Sequence, residues 1–312
     1  MRRLVALVVS LVLLAVIWWQ VDARAMVAAI GAADPLWLGL GLAAVMPLTL
    51  GTAWRFALLG RSGLGIGTAT RLILSSSTLN LVLPSKMGDL TKAWVLARRH
   101  GWEPKRAIAI VVIEKMLDMA ALLLLGGLAL LRVADGEPLL LLAALAVAGL
   151  LLLLLVLLSP LPLAPWAIGR LAGLLPAGPG AKAAAFAAQW RDAVGWFWNR
   201  PARAASIAAL SLALWAGHLA QFWLFATALG QVPFIDNMAF ATLAILAGLM
   251  PLTMAGIGTR DAAIVLFYRP WLEPASGAAL GVLATLRYVL PALAGLLFVR
   301  DYWQRPPPQA GS

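Results

Sequence analysis

Residues 83–89 interrupt an apolar stretch of membrane-spanning length, and they read Leu83-Pro84-Ser85-Lys86-Met87-Gly88-Asp89. The surrounding stretch runs from Thr68 to Leu96. Because proline lacks an N–H and clashes with the preceding turn, a helix that meets proline and then glycine stops or bends sharply. A break at membrane depth is tolerated only where the backbone is buried in protein or lines a wet cavity. We therefore predict a re-entrant hairpin of two half-helices, with a kinked spanning helix as the alternative.

A second interruption lies inside the apolar stretch from Met238 to Tyr268, and the same two interpretations apply to it. It reads Met250-Pro251-Leu252-Thr253-Met254-Ala255-Gly256-Ile257-Gly258-Thr259-Arg260-Asp261. Upstream spacing also agrees, because Arg55 lies 29 residues before Pro84 and Gln221 lies 30 before Pro251.

The composition is that of an integral membrane protein. Of the 312 residues, 62% are hydrophobic and 12% are charged, which is about half the charged fraction of an ordinary soluble chain. There is no cysteine, and the two histidines are far apart in sequence, so no metal ligand set, cofactor site or cysteine nucleophile is expected. We interpret the net charge of +11 as membrane topology and contact with anionic inner-leaflet lipids, not as nucleic-acid binding.

Six further apolar runs are predicted to cross the bilayer. They are Leu4 to Ile17, Leu36 to Leu59, Ile108 to Leu131, Leu139 to Leu158, Ser206 to Leu229 and Ala278 to Val299. The first could instead belong to a cleaved signal peptide, since Ala23-Arg24-Ala25 resembles a small-x-small cleavage site. The predicted fold class is an all-α polytopic membrane protein with six full transmembrane helices and two re-entrant hairpins.

The distribution of basic residues favours re-entry over spanning at both breaks. With both hairpins re-entrant and both termini cytoplasmic, fifteen Lys and Arg residues face the cytoplasm and three, Arg24, Arg132 and Arg269, face outward. This bias is what the positive-inside rule requires, and it would largely disappear if the first hairpin spanned. The expected location is the bacterial inner membrane.

The order of elements repeats within the chain. Residues 1–132 read as helix, helix, hairpin, helix, and residues 133–303 repeat that order with a cytoplasmic amphipathic segment at 160–203 inserted, before a polar tail at 304–312. In that segment Phe186, Trp190 and Phe197 are spaced for one helical face. Three crossings in each half would make the repeat inverted, an arrangement typical of transporters whose broken helices meet at a central site.

Charged residues within the apolar segments are the candidate functional groups, because each is costly in a bilayer unless it is paired or faces a wet cavity. The predicted substrate-binding residues are Arg55, Lys86, Gly88, Asp89, Gly256, Gly258, Arg260 and Asp261. At the two breaks, bare glycine amides could cradle a phosphate, while Asp89 and Asp261 could simply cap the following helices.

Glu114 and Asp118 lie four residues apart and therefore share one helix face, where two ionised carboxylates require a proton or an intervening cation. Arg55 and Arg287 are the predicted cations. The three residues Glu114, Asp118 and Arg287 form either a static ion-pair network or a proton relay or gate.

Four blocks together resemble the lysylphosphatidylglycerol synthase transmembrane (flippase-domain) family. They are Trp54-Arg55, residues 80–89, Glu114-Lys115-Met116-Leu117-Asp118, and residues 251–261, in which Asp261 stands where the family commonly has Glu. The resemblance implies lipid translocation by a stand-alone membrane member, without aminoacyl transfer because no synthase domain is expected.

Two functions follow as hypotheses. The first is a flippase or transporter for a phosphate-containing lipid of the phospholipid or polyprenyl type; the alternative is a membrane-embedded, lipid-phosphate-dependent transferase, similar to a glycosyltransferase. The partners expected are the lipid substrate and either a second copy of the chain or a separate lipid-modifying enzyme. The short outer loops favour the transporter over the enzyme.

Overall fold

The computed structural model describes residues 23–60, 63–82, 87–249 and 258–303, without the side chains of Val82 and residues 300–303. These ranges are almost entirely helical, and no strand occurs within them. The helices are α1 (Ala23–Gly31), α2 (Pro35–Ala43), α3 (Val45–Gly60), α4 (Ile66–Val82), α5 (Gly88–Arg99), α6 (Pro104–Val133), α7 (Pro138–Leu158), α8 (Leu163–Ala172), α9 (Ala177–Trp198), α10 (Pro201–Leu229), α11 (Phe234–Leu249), α12 (Thr259–Phe267) and α13 (Pro274–Trp303).

Four of the described helical segments are long and apolar enough to cross a membrane: Pro35–Gly60, Pro138–Leu158, Pro201–Leu229 and Pro274–Val299. They make the protein a multi-pass membrane protein. Helix α6 is 30 residues long but carries Glu114, Lys115 and Asp118 in its sequence. The predicted first span, Leu4 to Ile17, lies outside the described residues, so the count of six full spans stays a prediction.

Both predicted breaks fall between separate helices. Helices α5 and α12 have 12 and 9 residues, which gives lengths of about 18 and 14 Å, well short of the ~30 Å hydrocarbon core. Each packs back against the helix before it, α5 on α4 and α12 on α11. At Gly88 a Cβ atom would lie 2.6 Å from the carbonyl oxygen of Ser76 and from the amide nitrogen of Asn80, so glycine allows the two backbones to touch.

The last helix of each predicted half packs on the broken helix of the other half. Helix α13 packs extensively on α4, and α6 packs on α11. Both contacts use a glycine. A Cβ at Gly295 would collide with the backbone carbonyl of Leu74, and one at Gly126 would collide with the side chain of Thr242. The two predicted halves are therefore in contact at two crossings, each of which places a glycine against the neighbouring helix.

The segment at 160–203 forms α8 and α9, and α9 is attached to the end of α7. The indole N–H of Trp190 donates to the carbonyl oxygen of Leu157 at 2.9 Å, and that of Trp198 donates to Leu158 at 2.7 Å. Trp190 and Phe197 are buried, but Phe186 is 57% exposed. The predicted apolar face is therefore narrower than the aromatic spacing suggests.

Candidate functional site

Six charged side chains of α3, α5 and α6 form one connected ion-pair network: Arg55, Asp89, Lys92, Glu114, Lys115 and Asp118. Glu114 is fully buried, and its two carboxylate oxygens lie 2.6 Å from Lys92 Nζ and 3.4 Å from Arg55 Nη2. Lys92 is equally buried and also contacts Asp89 at 3.2 Å. Because a buried charge is tolerated only when it is paired, the helices that carry these residues are held together by the network.

Asp118 joins the network one helical turn beyond Glu114. Its carboxylate accepts hydrogen bonds from Arg55 Nη1 and, at 3.0 Å, from the indole N–H of Trp215. Lys115 lies 3.6 Å from Asp118 and 3.2 Å from Asp89, and its side chain is 44% exposed. Arg55 therefore supplies the cation that the spacing of Glu114 and Asp118 requires.

The charges at the second break pair locally. Arg260 Nη2 lies 2.7 Å from Asp261 Oδ1 and donates to Thr285 Oγ1 at 2.6 Å and to the carbonyl oxygen of Gly281 at 3.2 Å. The other oxygen of Asp261 accepts a hydrogen bond from the Gly258 backbone N–H at 3.0 Å. Asp261 thus caps α12, as one of the two sequence interpretations expects, and Gly258 has the positive φ of 104° that favours glycine.

The first break differs at the equivalent acid. Asp89 lies in the first turn of α5, where an acidic side chain suits the helix dipole, and its carboxylate contacts Lys92 and Lys115. Gly88 is packed against α4. Asp89 therefore belongs to the ion-pair network, and its role as a cap stays a prediction.

Arg287 on α13 has no carboxylate partner among the described residues. Its Nη1 lies 3.4 Å from the carbonyl oxygen of His218, its Nη2 donates to the hydroxyl of Tyr288, and its Nε has no hydrogen-bond partner. The guanidinium carbon lies 4.7 Å from the centre of the Tyr288 ring and 6.0 Å from that of Phe222. The predicted pairing of Arg287 with Glu114 or Asp118 is absent, because Arg55 occupies that position.

A cavity of about 230 Å³ lies between the two broken-helix regions. Its charged wall combines residues of both predicted halves: Asp89, Lys92, Lys115, Asp118, Arg260 and Arg287. Hydroxyl groups complete much of the remaining wall: Thr49, Thr52, Ser76, Ser77, Thr285 and Tyr288. A cavity with this lining can hold a polar, charged group inside a protein whose outer surface is apolar.

The cavity brings together four predicted site residues: Asp89, Asp118, Arg260 and Arg287. Three others, Arg55, Glu114 and Asp261, are buried directly behind its wall through their ion pairs. Lys86 and Gly256 lie outside the described residues.

Three lining residues, Lys92, Lys115 and His218, were not among the predicted site residues. Lys92 could have been predicted from the sequence, because it lies three residues after Asp89 on one helix and can therefore pair with it. No local pattern marks His218, since it reaches the cavity only through the packing of α10.

The sequence matches a known family model over most of its length. The family model described as the lysylphosphatidylglycerol synthase TM region matches residues 3–295, a range that includes both breaks, the ion-pair network and Arg287. A comparison with curated proteins gives no match. Because the family match extends over nearly the whole chain, this protein belongs to the lysylphosphatidylglycerol synthase transmembrane-region family.

Proposed function

We propose that the protein is a transporter that moves a phosphate-containing lipid across the bacterial inner membrane. The observation that carries this proposal is the polar cavity, which is walled by charged residues of both broken-helix regions. A lipid headgroup that crosses an apolar bilayer needs a polar path, while its acyl chains can stay in the lipid. Membership of this family supports a lipid as the substrate.

The packing pattern supports alternating access by two inverted halves. Helices α13 and α6 each contact the broken helix of the opposite half through a glycine crossing. Transporters with inverted repeats and broken helices move by rocking one half against the other around a central site. A cavity between two such halves is where that mechanism places its substrate.

Transport can be tested with purified protein in liposomes that contain headgroup-labelled phosphatidylglycerol. We expect the label to reach the opposite leaflet faster than in protein-free liposomes, without covalent change of the lipid. The double replacement Lys86→Gln and Arg260→Gln should abolish this movement, whereas Arg24→Gln and Arg132→Gln, at exposed positions, should not. A new covalent lipid product would instead establish the transferase and refute the transporter.

Orientation is tested by labelling single cysteines, since the native sequence has none. We expect Arg98→Cys and Gly178→Cys to react only from the cytoplasm, and Glu137→Cys and Gln231→Cys only from outside; all four positions are exposed. The site in α9 is Gly178, because a side chain at the neighbouring Gly180 would collide with the carbonyl oxygen of Ala172. Outside labelling of Arg98→Cys would refute the re-entrant hairpin and the inverted repeat.

A further inference from the structure

The charges around the cavity do not cancel. The network of α3, α5 and α6 contains three cations, Arg55, Lys92 and Lys115, and three carboxylates, Asp89, Glu114 and Asp118. Arg260 and Asp261 form a further neutral pair. Among the described residues that line the cavity or support its wall, Arg287 is therefore the cation left without an opposite charge.

The excess positive charge on Arg287 is important because its side chain is buried. Arg287 is only 7% exposed, and its Nε is buried without a hydrogen-bond partner. The rings of Tyr288 and Phe222 and the carbonyl oxygen of His218 hold the guanidinium in place and stabilise a cation, but none of them neutralises it. An unpaired buried charge is strongly unfavourable, so the ligand-free site is complementary to an anion.

A polar ring lies beside this cation. The carbonyl oxygen of His218 lies 3.4 Å from Arg287 Nη1, and His218 also lines the cavity. An imidazole can donate one hydrogen bond and accept another, so this ring is suited to bind a hydroxyl or an amine of a headgroup held in the cavity.

Arg260 is less suited to be the anion's main contact. Its guanidinium already contacts Asp261, the carbonyl oxygen of Gly281 and the hydroxyl of Thr285. An anion that approached Arg260 would also meet the negative charge of Asp261. Arg287 has no such competitor among the described residues.

We propose that Arg287 is the residue that binds the substrate's phosphate, and that the imidazole of His218, which lines the same cavity, hydrogen-bonds to a hydroxyl or amine next to that phosphate. The substrate class is a phosphodiester lipid whose headgroup carries a hydroxyl or an amine. The lipid part of this inference rests on the proposed transport function; the anion site at Arg287 does not.

The experiment compares purified wild-type protein with Arg287→Gln, Arg287→Lys and the exposed control Arg132→Gln. Each is titrated in detergent with phosphatidylglycerol, with diacylglycerol, which lacks phosphate, and with inorganic phosphate, while thermal stability is recorded. Because a charge-assisted hydrogen bond is lost, we expect Arg287→Gln to bind phosphatidylglycerol about tenfold or more weakly. Without lipid, this variant should unfold at the same temperature as wild type or higher, since an unfavourable buried charge has been removed.

The two remaining variants separate charge from packing. Arg287→Lys keeps the positive charge and should retain part of the affinity, and Arg132→Gln should behave as wild type. Two results would overturn the assignment: wild-type affinity in Arg287→Gln, or a ligand-free loss of stability in that variant as large as the loss caused by Arg55→Gln. The second would mean that Arg287 is structural.

Two measurements, of inorganic phosphate binding and of lipid transport, test the anion site at Arg287 separately from the proposed transport function. Arg287-dependent stabilisation by inorganic phosphate equal to that by phosphatidylglycerol would support the anion site and overturn the lipid as its ligand. Transport by wild type together with unchanged transport and binding in Arg287→Gln would overturn the inference and leave the transporter intact.

His218 is tested by headgroup preference. Phosphatidylglycerol has hydroxyl donors and phosphatidylcholine has none, so wild type should prefer the former and His218→Phe should bind both equally. An unchanged preference in His218→Phe would overturn its part of the proposal.

Discussion

Around α5, each of the six embedded charged residues has an oppositely charged neighbour within 4 Å, and these residues come from three helices. Around α12 the only described ion pair joins two residues adjacent in sequence, Arg260 and Asp261, while Arg287 on α13 has no carboxylate partner among the described residues. The first region uses its charges to connect helices. The second keeps one charge available on the cavity wall.

This difference assigns different roles to two arginines whose sequence surroundings are similar. Arg55 and Arg287 are both buried arginines on apolar helices. Arg55 bridges Glu114 and Asp118, and it also donates to Ser211 at 3.0 Å, so its removal should disturb the fold. Arg287 bridges no carboxylates, so its removal should disturb binding instead.

The largest expected effect is on the first network. We expect Glu114→Gln to lower the free energy of unfolding by about 3–5 kcal/mol, because Lys92 and Arg55 would each lose a buried partner. Thermal unfolding in detergent and the yield of folded protein measure this loss. The exposed Glu137→Gln is the matched control and should have no effect. A Glu114→Gln protein that is as stable as wild type but transports no lipid would favour the proton relay over the static network.

The glycine crossings should give the next largest effect. We expect Gly295→Ala to destabilise the protein by about 1–3 kcal/mol, since its Cβ would meet the backbone of α4, which cannot move without shifting the helix. Gly126→Ala should cost a similar amount, because its Cβ would lie 2.4 Å from the Thr242 Cβ, which is fixed to the backbone of α11. Gly149→Ala in α7 faces open space and is the control. Equal stability of Gly295→Ala and Gly149→Ala would contradict the tight α4–α13 crossing.

The smallest expected effect is at the second break. We expect Arg260→Gln to cost about 1–2 kcal/mol, less than Glu114→Gln, because Asp261 would keep the Gly258 N–H and the favourable end of the α12 dipole. Thermal unfolding again provides the measurement. A loss as large as that of Glu114→Gln would show that both regions depend equally on their charges, and the contrast between them would no longer hold.

Much of this arrangement could be predicted from single residues and spacings. Pro84 and Pro251 marked the breaks, and the four-residue spacing of Glu114 and Asp118 indicated a cation between them. The choice of Arg55 over Arg287 could not be predicted, because both lie on apolar helices and only tertiary packing decides which one reaches α6.

The sequence also gives no indication of contacts between residues that are far apart in the chain. The sequence alone cannot show that Gly88 lets two backbones come into contact, since Ser76 and Asn80 lie near it only after the chain turns back. His218 is similar, because it lines the cavity only through the packing of α10 beside α13.

The helices that carry Gly126 and Gly295 each pack on a helix of the other predicted half, and this packing predicts how two fragments of the protein would behave. If the chain is cut in the exposed turn between α6 and α7, each fragment keeps one glycine-bearing helix and loses the broken helix on which it packs. Neither fragment alone can then cover the face shaped for its missing partner. We expect the two fragments to be degraded when produced separately, and to assemble when both are produced in the same membrane.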